Sequence, residues 1–133
     1  MKNIALITLF LALSHHSIAQ LHLPIDQISF DEEKKNIKVQ KLSSDQNSSS
    51  FAIQIEDSVA AHYHQSHTES VIILEGSAEM RLGEKIIMIK KGDYIVIPEG
   101  TVHSVKVLSD TPLKVISVQA PEFKGEDRHY VND

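Results

Sequence analysis

"VAAHYHQSHTESVIILEG", Val59–Gly76, sets three histidines and two glutamates in a short polar span and then turns almost wholly apolar. In a β-strand, residues i and i+2 point to the same side, so His62 and His64 project their imidazoles into one space while Tyr63 points away. A helix would splay the pair. Glu69 opens the next segment with a parity that carries Val71 and Ile73 into a core, and a hairpin-like return between His64 and Glu69 would bring the carboxylate back beside the rings. Two neutral imidazoles and a carboxylate suit a divalent ion such as Zn, Fe(II), Mn, Ni or Cu(II), with a fourth ligand required from elsewhere. Paired histidines also occur on wet surface strands, so this stretch alone fits a histidine-rich polar loop equally well.

A second stretch supplies the missing partner. "GDYIVIPEGTVHSV", Gly92–Val105, starts on a turn glycine, runs a β-branched strand, stops at Pro98-Glu99-Gly100 and places His103 three residues after Gly100. Pro98 presets the turn backbone and removes a donor where the strand ends. His103 then begins an outgoing strand whose same-face residues are Val105 and Val107, a polar group at the mouth of an apolar interior. The plainer alternative is one buried histidine bonded to backbone.

Outward from these two stretches the pattern remains that of strands. Asn36–Leu42 alternates with Ile37, Val39 and Lys41 on one face, and the polar run Ser43–Ser50 is expected as a loop. Phe51–Glu56, Glu69–Glu75, Ser77–Leu82, Lys85–Lys90, Tyr94–Pro98, His103–Leu108 and Leu113–Gln119 are short β-branched segments divided by Gly and Pro signals. No sustained 3.6-residue period follows the N-terminal segment, so the fold class is all-β, a sandwich or jelly-roll barrel. Val71–Leu74, Ile86–Ile89 and Ile95–Ile97 are apolar on both faces, which calls for a cover over at least one outer face. A second copy, packed on Ile72/Leu74 and Ile87/Ile89, is the simplest cover and predicts a homodimer. The tail from Ala120 to Asp133 has no assignable pattern.

The chain has 133 residues, enough for one domain. Residues 1–19 read as a signal peptide: Lys2 is basic, Ile4–Leu13 is a mainly apolar run too short to span a bilayer, and Ser17-Ile18-Ala19 is a small-x-small cleavage site. The mature domain is then 20–133, and the expected location is periplasmic or secreted. Cleavage leaves twelve Lys+Arg against eighteen Asp+Glu, a formal charge of -6. Such a surface disfavours nucleic acid and anionic membranes as partners. There is no cysteine, so stability rests on an ordinary core without disulfides, and a lipid-anchored lipoprotein is excluded.

Together the two stretches resemble the paired motifs of the cupin family. The first is matched by His62, His64, Glu69 and Gly76, the second by Gly92, Pro98, Gly100 and His103. Glu56 stands where the family has a glycine, and Val107 where it has an asparagine; neither position is a ligand. The resemblance implies a cupin-type double-sheet β-barrel (jelly roll) and one ion held by His62, His64, Glu69 and His103. His67 falls outside the ligand pattern, as a loop residue at the mouth that is either a proton donor or a solvated bystander.

Cupin folds host many chemistries, so the fold does not name the reaction. One expectation is a secreted metal-dependent enzyme, dioxygenase-like, acting on a small, partly apolar organic molecule at open coordination positions. The other is a binding protein that holds a metal, or a ligand through a metal, without turnover. The lack of tryptophan disfavours a sugar-stacking platform, and export separates the protein from nucleotide sugars and coenzyme A esters. The aliphatic interior, with Met80, favours a small, partly apolar ligand.

Overall fold

Period-two alternation of β-branched residues decides which side of each strand is buried, and the turn residues decide where the chain changes sheet. A computed structural model of the protein describes residues 22–131; the expected signal segment lies outside them. After a short 3-10 turn at Ile25–Gln27 come ten strands: β1 (Ile37–Ser44), β2 (Ser49–Ile55), β3 (Ser58–Tyr63), β4 (Thr68–Glu75), β5 (Ser77–Leu82), β6 (Lys85–Lys90), β7 (Tyr94–Ile97), β8 (His103–Val107), β9 (Leu113–Ala120) and β10 (His129–Tyr130). They form two antiparallel five-stranded sheets, one ordered β1-β2-β9-β4-β7 and the other β10-β3-β8-β5-β6.

The sheets share no strand ladder. This corrects the double-sheet barrel expected from the sequence: closure requires the edge strands to pair with one another, and here β1 and β7 end one sheet while β10 and β6 end the other. The chain passes between sheets through short bends such as Glu56-Asp57, Gly76 and Lys91–Asp93, which break the ladders instead of carrying them round. The result is an all-β, two-sheet cupin-like sandwich. Gly76 makes one crossing with φ +82, and a Cβ there would lie 2.8 Å from the Pro112 carbonyl oxygen, so both conformation and space demand glycine.

The inner faces supply the core. Ile55, Val71, Ile73, Ile95, Ile97, Leu113 and Val115 come from one sheet, Ala78, Met80 and Ile89 from the other. Full burial of each large aliphatic chain stabilises by about 1.5–3 kcal/mol. Ile87 and Ile89 point inward; the outward apolar pair on β6 is Ile86 and Met88, 60% and 63% exposed. On the other sheet, part of the cover comes from the segment before β1. Ile25, Ile28 and Phe30 share an outer cleft with Ala52 and Leu74, and Ala52 is only 1% exposed although its parity turns it away from the core.

The polar run Ser43–Ser50, expected as a loop, is half strand: its two ends belong to β1 and β2. Ser43 pairs with Ser50 and Ser44 with Ser49, their hydroxyls 2.6 and 2.8 Å apart. The reversal shrinks to Asp45–Ser48, where the Asp45 carboxylate accepts the N–H groups of Asn47 and Ser48.

Candidate metal centre

Register builds the site. His62 on β3 pairs directly with His103 on β8, after an irregularity in the β3–β8 ladder between Val59 and His62 that turns the histidine inward. The two ring centroids are 4.1 Å apart; His64, just beyond β3, lies 5.2 Å from His62 and 5.4 Å from His103. Tyr63 points the other way and stacks on His129. Glu69 sits on β4 in the opposite sheet. The return from His64 to Glu69 is therefore a crossing between sheets, not the hairpin-like turn expected. It still delivers the carboxylate, with Oε2 3.4 Å from Nε2 of both His64 and His103. Gly100 of the second stretch donates its N–H to the His64 carbonyl at 2.7 Å and ties the two motifs together.

The hydrogen bonds fix the tautomers. His62 donates Nδ1–H to the Ala60 carbonyl at 2.8 Å, His103 donates to Thr101 at 2.9 Å, and His64 donates to Asp127. A carbonyl can only accept, so in each neutral ring the proton sits on Nδ1 and Nε2 keeps its lone pair. One ring nitrogen from each of the three buried histidines lies within 4.8 Å of the others. Nε2 of His64 is buried and has no hydrogen-bond partner. Convergent imidazole lone pairs, one of them orphaned, beside a carboxylate form a donor set that fits a metal cation.

Electrostatics agree with that fit. Burial, reinforced by His103 and Arg128, pushes the His62 imidazole down to about 4 and keeps it neutral at physiological pH. Burial also opposes charge on His64, but the Glu69 carboxylate and the Asp127 carbonyl outweigh it and raise that ring. Burial resists charge on Glu69 too; the facing His103 and His64 rings and the Ser117 hydroxyl outweigh it and hold its carboxyl well below the usual range.

The tail, unassigned from sequence, completes the site. Its β10 adds to the edge of β3, pairing Tyr130 with His62 and His129 with Tyr63. The Asp127 carboxylate accepts N–H groups from Gln65 at 2.9 Å and Ser66 at 2.8 Å and binds His67 and His129, while its carbonyl orients His64. Phe123 packs edge-on against His64 and His67. His67 is thus buried, not solvated at a mouth; Nδ1 faces Asp127 and Nε2 faces the Glu122 carbonyl at 3.0 Å, so both ring nitrogens are engaged with the tail. Arg128 joins His62, Glu69 and His103 in lining an interior cavity of about 70 Å³ whose other walls are aliphatic, among them Val71, Met80, Val105 and Leu113. The sequence signal for these contacts is faint: Asp127, Arg128 and His129 are consecutive in an otherwise patternless tail.

A two-sheet fold with three inward histidines and a carboxylate at this register defines a class of small metal-capable β-proteins. The family model for the cupin domain matches residues 50–119, more than half of the chain, and the chain belongs to the cupin family. It is 31% identical over 93 residues to an uncharacterized protein of Aquifex aeolicus, covering 70% of this chain and 76% of that one. It is 35% identical over 65 residues to the quercetin 2,3-dioxygenase of Bacillus subtilis, where the match spans 49% of this chain but only 19% of the enzyme. Among solved structures, a conserved protein with a double-stranded β-helix domain from Klebsiella pneumoniae superposes with a TM-score of 0.72 at 18% identity, covering 86% of this chain and all of that one. Among the described residues, no helix is long and apolar enough to cross a membrane.

Proposed function

We propose that this cupin binds one divalent transition-metal ion per chain through His62, His64, Glu69 and His103, and is a metal-dependent enzyme, dioxygenase-like, for a small, partly apolar organic molecule. The observation that carries the reading is the fixed tautomer set: three Nδ1–H groups tied to carbonyls leave three Nε2 lone pairs in one buried space. When bound, such an ion supplies Lewis acidity and open coordination positions. The chain's own residues do the rest. Ser117 holds the carboxylate in place, the Asp127 carbonyl orients His64, and Val71, Met80, Val105 and Leu113 make the cavity walls apolar.

The stretch similar to quercetin 2,3-dioxygenase supports oxygen chemistry, whereas a cavity of about 70 Å³ favours a much smaller substrate than the roughly 300–1,000 Å³ pockets that hold drug-sized ligands. That same small volume favours the second reading, a protein that holds an ion without turnover. Oxygen uptake by iron-loaded protein, assayed against a panel of small organic acids and alcohols, separates the two. Substrate-dependent uptake that disappears in His103→Ala supports the enzyme; metal binding with no uptake across the panel leaves the binding protein. The protein is further proposed to be exported with cleavage after Ala19, so that the exported form has the intact mass of a chain beginning at Gln20.

A further inference from the structure

Every ionised group around the centre has partners except one. Glu69 is met by Ser117, His64 and His103, and Asp127 by Gln65, Ser66, His67 and His129. Arg128 lines the cavity beside His62, Glu69 and His103, yet its Nε is buried without a hydrogen-bond partner, and no carboxylate among the described residues makes an ion pair with it. Its positive charge opposes a further charge on both His62 and His64, so its field reaches the cluster. An unpaired buried guanidinium N–H is costly. The position is fixed, because Asp127 on one side is anchored to the His64–His67 segment and β10 on the other is paired to β3.

We infer that Arg128 is the anion-binding wall of this cavity, and that the ligand taken up beside the histidine cluster is a small monocarboxylate with a short apolar body. The planar fork of the guanidinium matches a carboxylate through two parallel N–H···O bonds, and Val71, Met80, Val105 and Leu113 receive the alkyl part. A cavity of about 70 Å³ limits that part to a few carbons. The inference deepens the metal-centre reading and rests on it for the meaning of the neighbouring cluster, but the role of Arg128 can be tested separately.

The test is calorimetric titration of full-length, zinc-loaded protein with butyrate and with its neutral isostere butyramide, alongside Arg128→Met and Arg128→Lys. Hydrogen bonds to a charged partner correspond to a preference of at least about tenfold for butyrate in the wild type. Arg128→Met should abolish the preference, and Arg128→Lys, with charge but no fork, should reduce it, all three holding the same zinc per chain. Equal binding of the two ligands, no binding of either, or a preference that survives in Arg128→Met overturns the inference, the last because the ion alone would then be holding the carboxylate. If circular dichroism shows Arg128→Met unfolded, the comparison of Arg128→Lys with wild type decides. If the wild type retains no zinc, the metal reading fails, and the same titrations on zinc-free protein still decide whether Arg128 selects a carboxylate.

Discussion

His62 and His64 are two residues apart and both buried, yet their surroundings drive them in opposite directions. His62 faces another imidazole and an arginine, which add to burial and push it down to about 4; His64 faces Glu69 and the Asp127 carbonyl, which outweigh burial. The sign for stability follows. Below 6.5 an unfolded chain protonates His62 while the folded, metal-free chain does not until about 4, so stability is full above 6.5 and falls as pH drops through that window, by at most about 1.4 kcal/mol per pH unit. His64, being raised, contributes stability that is intact below 6.5 and is lost only as pH rises through its folded value, so it adds no slope there. Glu69, being depressed, begins to lose its contribution only below 4.5. Thermal melts of the metal-free protein between pH 6.5 and 4 should slope downward, and His62→Asn should flatten the slope; an unchanged slope in the variant would place the effect elsewhere.

At the scale of elements, the two motifs and their strands were legible because each depends on local rules. The i, i+2 parity puts His62 and His64 on one side, Glu69 shares a face with Val71 and Ile73, and His103 shares one with Val105 and Val107. What could not be read is set by long-range pairing. Sequence parity does not say which sheet a strand joins, so the His64–Glu69 return looked like a hairpin and the paired sheets like a closed barrel. It also does not reveal which face of β6 lies inside, because Ile86, Ile87, Met88 and Ile89 are all apolar. The tail was opaque for another reason: β10 has two residues, too short for a period, and its hold on the site runs through single contacts of Asp127, Phe123 and Arg128. Asp127→Ala removes the acceptor for Gln65, Ser66 and His67, so hydrogen exchange at Gln65 and Ser66 should accelerate. Metal affinity should fall as well, because the lost carboxylate anchors the tail to the His64–His67 segment and so holds in place the Asp127 backbone carbonyl that orients His64. Unchanged exchange and affinity would mean the tail does not support the centre.

For the whole molecule, the outer faces are unequal. One sheet is partly covered by Ile25, Ile28 and Phe30, while the other exposes Ile86 and Met88 beside Arg81 and Glu79. Ile72, Tyr94 and Val96 form a second exposed apolar row near the far edge of the first sheet. Self-association through one of these faces is the proposal that remains from the two-sided strands, and a stable dimer would bury roughly 800 Å² per subunit. Light scattering at micromolar concentration should report a dimer, and Met88→Lys with Tyr94→Lys should return the monomer; a wild-type monomer would contradict it.

Metal binding is the claim on which the functional account turns, and divalent-ion titration of demetallated protein at neutral pH tests it most directly. The account predicts one tight site per chain, sharply weakened in His62→Ala and His103→Ala, and weakened in Glu69→Gln with the fold retained. In His67→Ala the stoichiometry should stay at one, since that ring is spent on Asp127 and Glu122. No tight binding by the wild type, or identical behaviour of His62→Ala and His67→Ala, would contradict it.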